Sequence, residues 1–177
     1  MKKIANIDIK NYGLIRKNVK FFLSSCADKY DGESISLLDI APQDHEGAKE
    51  FFKKSRISTL DIDSNSGATF IADICKNNSE IIPDNYFDII VCTEVLEHTL
   101  NPFLAIKEMK RMLKSGGLLL ISAPFNFRIH GPLPDCWRFT EHGLKELLKD
   151  FKIEIKILET KNRFLMPVHY TIEAVRT

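Results

Sequence analysis

Hydrophobic residues in this chain fall alternately into helical and strand-like spacings. Ile15, Val19, Phe22, Leu23 and Cys26 recur three or four positions apart, which predicts an amphipathic helix over Asn11 to Asp28 that stops at Asp31-Gly32. Short apolar runs follow at Ser36 to Ala41, Ile57 to Ile62 and Ala68 to Ala72, each the length of a buried strand. Gly47 to Lys54 carries Ala48, Phe51 and Phe52 and reads as a short helix. Asp63 to Gly67, between the second and third runs, is too short for a full crossover helix. Either that connection is abbreviated or one of the two runs is not a strand.

The second half is more regular. Tyr86 to Cys92 reads as a buried strand. Asn101 with Pro102 supplies an N-cap and a first-turn proline. Ile106, Met109 and Leu113 mark the face of the helix that follows, and Gly116-Gly117 marks its end. Leu118 to Ser122 is the next strand, and Thr140 caps a helix carrying Leu144, Leu147, Leu148 and Phe151. Ile153 to Thr160 and His169 to Arg176 alternate as strands, and the short stretch between them suits an antiparallel return. The order predicts an α/β architecture: one domain over residues 1–177, with an N-terminal helix within 1–30 and a core over 36–177. Its sheet is mostly parallel and closes with an antiparallel C-terminal strand pair.

Composition narrows the function. With 44% hydrophobic and 28% charged residues the chain is not a disordered one. Lys+Arg 25 against Asp+Glu 24 leaves a net charge of +1, which argues against a broad nucleic-acid surface. No apolar run approaches the roughly 20 residues of a membrane-spanning helix, and Met1-Lys2-Lys3 is not followed by the apolar stretch of a signal peptide. Cys26, Cys75, Cys92 and Cys136 form no CxxC pair, so they are read as reduced thiols of a cytoplasmic protein rather than metal or redox ligands.

In parallel α/β sheets ligands sit beyond the C-terminal strand ends. Asp39, Asp61 and Asp73 stand at the first three such ends. Thr93 and Glu94 follow the fourth strand, Glu97-His98 comes a turn later, and His130 follows the fifth. A carboxylate at the end of the second strand suits a ribose, because its two acceptor oxygens match two vicinal hydroxyls. A lone Asp there is more often a cap or turn residue. Three at successive ends point to a ligand.

Phe87 to Phe125 makes the resemblance specific. Phe87-Asp88, Val95-Leu96-Glu97-His98, Asn101-Pro102, Glu108, Arg111 to Lys114 and Gly116-Gly117 resemble, in order and spacing, the second half of class I S-adenosylmethionine-dependent methyltransferases. The resemblance extends over about Ser36 to Thr177 and implies a Rossmann-like, seven-stranded sheet. It places Asp39 at the methionine end of the cofactor and Asp61, with Ile62, at the ribose. Asp73 and Ile74 fall at the adenine, and Thr93 and Glu94 at the cofactor's amino group. Glu97 is expected on a helix surface or as an orienting residue. The family's turn after the first strand is glycine-rich, whereas this chain has Ala41 and Gln43 there, with Pro42 between them. Glycine permits positive φ and close approach of the backbone to a ligand. Gln43 is therefore expected either to contact the cofactor's methionine end or to fill its site, and the former is preferred.

Pro124 to Thr140, with His130-Gly131-Pro132, Asp135 and Trp137-Arg138-Phe139-Thr140, is similar to a subset of these enzymes associated with saccharide and glycan pathways. The resemblance implies a small-molecule acceptor, such as a saccharide or glycan precursor hydroxyl, with Asp135, Trp137 and Arg138 as substrate-binding residues. The competing reading has the aromatics anchoring the loop and Asp135 pairing with Arg138. His130 and His98 are the candidate bases, His130 slightly preferred, since imidazole is the side chain best suited to proton exchange near neutral pH. Methyl transfer requires no metal, and no His/Cys/Asp spacing demands one, so none is expected. Two alternatives compete with the methyltransferase. A nicotinamide-dependent oxidoreductase would need a GxGxxG turn that the chain lacks. A degenerate module that has kept the fold and lost the cofactor is suggested by Ala41 and Gln43. The sequence leaves the oligomeric state open.

Overall fold

The computed structural model describes residues 4–42, 47–161 and 164–177. The sheet contains β1 (Ser36–Ile40), β2 (Arg56–Asp61), β3 (Phe70–Ile71), β4 (Phe87–Thr93), β5 (Leu113–Pro124), β6 (Phe151–Leu158) and β7 (His169–Arg176). Among the described residues three α-helices accompany it: α1 (Asn6–Tyr30), α2 (Pro102–Met112) and α3 (Glu141–Leu147). The strand order is β3-β2-β1-β4-β5-β7-β6. All neighbours pair in parallel except β5 with β7 and β6 with β7, which are antiparallel. The order of connection reverses between β1 and β4, and a crevice is expected at the C-terminal strand ends there.

Alternation along each central strand divides the core into two layers, because successive side chains point to opposite faces. Leu37, Ile89, Val91, Leu118 and Leu120 cluster with Ile15, Val19, Phe22, Leu23 and Cys26 of α1. Their neighbours Leu38, Ile90, Cys92, Leu119 and Ile121 cluster with Ala105, Ile106 and Met109 of α2 and Leu144 and Leu147 of α3. The α1 stripe predicted from spacing is thus the face that covers one side of the sheet. The other side needs both α2 and α3.

Local boundaries differ from the pattern for identifiable reasons. α1 runs past its apolar stripe to Tyr30, and the Asp31 carboxylate accepts from the N–H groups of Lys53, Lys54 and Ser55, tying the helix end to the start of β2. The helix after Asn101 ends at Met112, not at Gly116-Gly117: Leu113 is fully buried and already pairs with Phe87, so β5 begins there. Gly116 instead takes φ +73 where the register shifts, and a Cβ on Gly117 would lie 2.8 Å from the Lys114 carbonyl. Gly47–Glu50 is a 3-10 turn rather than a helix reaching Lys54. The β2–β3 connection is the abbreviated one, with no helix and only Leu60 and Asp61 pairing across to β3. His98 closes a 3-10 turn, Leu96–His98.

Candidate functional site

The C-terminal ends of β1, β2, β3 and β4 open onto a cavity of about 520 Å³, within the range of small-molecule and cofactor sites. Asp39, Ala41, Asp61, Ile62, Asp73, Ile74, Thr93 and Glu94 all line it. Gln43 lies outside the described residues. α1 contributes Arg16 and Lys20 to the wall, and His98 lines the far side with Pro132, Leu133 and Pro134. Val19 and Leu23 of the α1 apolar stripe also line the cavity, whereas Arg16 and Lys20 lie beside the stripe and carry no signal in its periodicity.

Asp39 is buried, and its Oδ2 accepts from the Ala48 N–H at 2.6 Å. Burial pushes its carboxyl up from the usual 3.8 to about 7, against the opposing pull of that N–H. Gly47, at φ +57, is the residue that allows this contact, since a Cβ there would collide with the Asp39 carboxylate. Ala41 adopts φ 50 with its N–H on the Leu60 carbonyl at 2.8 Å. The turn therefore keeps the left-handed geometry that a glycine would take without strain.

Asp61 is buried, and its Oδ1 accepts from the Asp63 N–H at 2.8 Å. Asp73 Oδ1 accepts from the Cys75 N–H at 2.9 Å. Ile74 is buried beneath the cavity while Ile62 is 70% exposed at its rim. Carboxylates beside apolar side chains suit a nucleoside, whose ribose and amines need acceptors and whose ring needs an apolar surface.

Glu94 follows β4 at φ 56. Its Oε1 accepts from Ser122 Oγ at 2.8 Å and lies 2.6 Å from His169 Nε2, while the Asn18 amide reaches His169 Nδ1 at 2.9 Å. Burial alone would raise the Glu94 carboxyl, but the His169 and Ser122 partners outweigh it and hold it below its usual value. His169 is a fully buried residue that sequence reasoning passed over, because it sits inside a strand pattern rather than at a strand end.

Glu97 differs most from expectation. It is not on a helix surface but fully buried, and among the described residues neither of its carboxylate oxygens has a hydrogen-bond partner. Burial, followed by the nearby Glu94 charge, raises its carboxyl well above the usual value. His98 Nε2 and His130 Nε2 each lie 3.9 Å from Glu97 Oε1. The two rings meet edge to face at 4.9 Å.

The loop after β5 folds as a brace. Asp135 takes Arg138 on both oxygens, at 2.5 and 2.7 Å, and accepts from the His130 N–H at 2.9 Å. Burial raises the Asp135 carboxyl, but the Arg138 guanidinium and the His130 N–H outweigh it and hold it down to about 2. Trp137 stacks on Phe139 and donates its Nε1–H to the Thr99 carbonyl at 2.8 Å. The Glu97 carbonyl accepts from the N–H groups of Cys136 and Trp137. Asp135, Trp137 and Arg138, expected to bind substrate, therefore do not line the cavity and instead hold the loop in place. Of the two histidines, His98 lines the cavity, whereas His130 packs behind it against Phe127.

Acids at successive strand ends around a crevice beside the β1–β4 switch define a nucleoside-binding α/β fold. The chain belongs to the methyltransferase-domain family, which it matches over residues 8–155, and the cofactor of that class is S-adenosylmethionine. It is 58% identical over 36 residues to a ubiquinone biosynthesis O-methyltransferase of Glaesserella parasuis, a match covering 20% of this chain and 15% of that protein. Its fold is similar to the CurJ carbon methyltransferase, with TM-score 0.66 and 15% identity over 92% of this chain and 54% of that one. It is also similar to the N-methyltransferase NodS of Bradyrhizobium japonicum, with TM-score 0.64 and 15% identity over 92% and 96% of the two chains. By their names these three act on oxygen, carbon and nitrogen, so the shared fold leaves the acceptor atom open. No helix among the described residues is long and apolar enough to cross a membrane.

Proposed function

We propose that this chain binds S-adenosylmethionine in the 520 Å³ cavity and methylates a hydroxyl of a small, polar acceptor such as a saccharide or glycan precursor. The observation that carries the reading is the convergence of Asp39, Asp61 and Asp73 on one cavity with Ile62 and Ile74 beside them. The residues fit the cofactor. Asp61 would take the ribose hydroxyls, Asp73 and Ile74 the adenine, and the Ala41 turn, held at φ 50, keeps the backbone route past the methionine end. Arg16 and Lys20 add positive charge to the wall, which suits the cofactor's carboxylate.

When bound, S-adenosylmethionine supplies a methyl carbon on positively charged sulfur: the acceptor oxygen bonds that carbon, sulfur keeps the pair of the broken bond, and S-adenosylhomocysteine leaves. The protein contributes position and a route for the hydroxyl proton. His98 is on the cavity wall and His130 stands behind it, so in the chain without any bound ion these two are the groups placed to take that proton. The short match to an O-methyltransferase supports an oxygen acceptor. The likeness of the His130 to Thr140 pattern to glycan-associated enzymes supports a saccharide. Free thiols at Cys26, Cys75, Cys92 and Cys136 support a reducing, cytoplasmic setting.

The acceptor is tested with methyl-labelled cofactor offered to nucleotide sugars and, separately, to amino sugars and other amines. Label on a sugar oxygen is expected, and label confined to nitrogen would overturn the hydroxyl assignment.

A further inference from the structure

The cluster of Glu97, His98 and His130 has a surplus of acceptors. The nitrogen and oxygen atoms that these three side chains can offer lie within 4.8 Å of one another. The Nε2 atoms of both histidines face the same oxygen, Glu97 Oε1, at 3.9 Å. The other nitrogen of each ring is already beside an acceptor. His98 Nδ1 is 3.0 Å from the Pro134 carbonyl, and His130 Nδ1 is 3.0 Å from Asp135 Oδ2, in ion-pair contact though off the hydrogen-bond direction. At His98 the carbonyl oxygen at Nδ1 favours the ring proton on that side, which turns the Nε2 acceptor position toward Glu97. Two imidazole nitrogens and a fully buried carboxylate that has no hydrogen-bond partner among the described residues thus converge on one point. The Arg138 guanidinium is committed to Asp135, Phe127, Arg128 and its own neighbour's carbonyl.

The geometry points to a divalent first-row transition-metal ion held by Glu97, His98 Nε2 and His130 Nε2. Two imidazoles and one carboxylate form a donor set that takes Zn²⁺, Fe²⁺ or related ions and leaves further coordination positions open. An Nδ1 held by a backbone carbonyl is an arrangement that orients metal-bound histidines, and His98 has it, while the Asp135 carboxylate stands 3.0 Å from Nδ1 of His130. His98 lines the cavity, so an ion on its Nε2 would lie beside the place where an acceptor would sit. An ion there polarises an acceptor hydroxyl and eases loss of its proton to water. With their Nε2 atoms on the ion, His98 and His130 serve as ligands rather than bases. This catalytic role rests on the hydroxyl reading of the preceding section, but the site itself does not. No spacing signal reveals it, because His130 reaches the cluster only through the fold of the loop after β5.

The test uses the full chain after treatment with a chelator and dialysis, with Zn²⁺ followed by calorimetry and Co²⁺ by its visible absorption. One equivalent is expected in the wild-type protein, with the absorption bands of nitrogen-and-oxygen-ligated Co²⁺. Glu97→Gln, which keeps the volume of the buried side chain, and His130→Gln should each weaken Zn²⁺ by at least about 100-fold. Absence of stoichiometric binding in the wild-type protein, or affinity unchanged in both variants, would overturn the site. Binding of S-adenosylmethionine is titrated separately, so loss of the metal with retained cofactor binding separates this inference from the assignment of the cavity.

Discussion

At the scale of single residues, two positions carry energetic consequences that can be read from solution. Asp39 is an acid whose folded carboxyl is raised to about 7, chiefly by burial. A raised acid contributes stability that is fully present below its unfolded value of 3.8 and is lost as pH rises through 7. The loss amounts to about 4 kcal/mol across that window in the cofactor-free protein. Asp39→Asn keeps an acceptor for the Ala48 N–H but removes the charge. Urea unfolding of the variant should lack this component of the pH slope between about 4 and 7, and the variant should be the more stable protein at pH 8. An identical slope in both proteins would contradict the burial of that carboxyl. Ala41 holds φ 50, a conformation that costs an ordinary residue about 1 kcal/mol or more. Ala41→Gly should therefore raise the urea midpoint, reflecting a gain of up to about 1 kcal/mol in stability once the added freedom of the unfolded chain is deducted. A lower midpoint would mean that the methyl group packs more than it strains.

At the scale of elements, the apolar periodicity was an accurate guide wherever one face is buried. The stripe from Ile15 to Cys26 is the buried face of α1, and the alternation in β4 and β5 divides the two core layers residue by residue. Boundaries were less legible. Gly116-Gly117 looks like a helix end in sequence, but pairing of Leu113 with Phe87 ends α2 a turn earlier. The loop after β5 was the hardest to read, because its roles depend on which partners the fold brings: Asp135 finds Arg138 three residues on, while Trp137 finds Thr99 on another element. The cap of α2 was legible. Asn101 Oδ1 accepts from the Leu104 N–H at 3.1 Å, with Pro102 in the first turn. Asn101→Ala should cost about 1 kcal/mol in chemical denaturation. A cost near zero would show that the cap bond has no weight in the folded protein.

At the scale of the whole molecule, the strand order explains why acids far apart in sequence meet. β1, β2 and β3 are adjacent and parallel, so Asp39, Asp61 and Asp73 emerge at the same edge of the sheet. That much of the site follows from pattern alone, because strand ends are readable one at a time. The wall opposite was not readable: Glu97, His98 and His130 come together only because the loop after β5 returns to the turn after β4, with Cys136 and Trp137 donating to the Glu97 carbonyl. The central claim is that this edge binds S-adenosylmethionine. Its most direct test is calorimetric titration of the full chain with that cofactor and with S-adenosylhomocysteine, alongside Asp61→Ala. The expected result is one site per chain, weakened in the variant by at least about 1.5 kcal/mol, roughly tenfold or more, for loss of hydrogen bonds to a charged acceptor. No heat of binding in the wild-type protein, or equal affinity in the variant, would contradict the account.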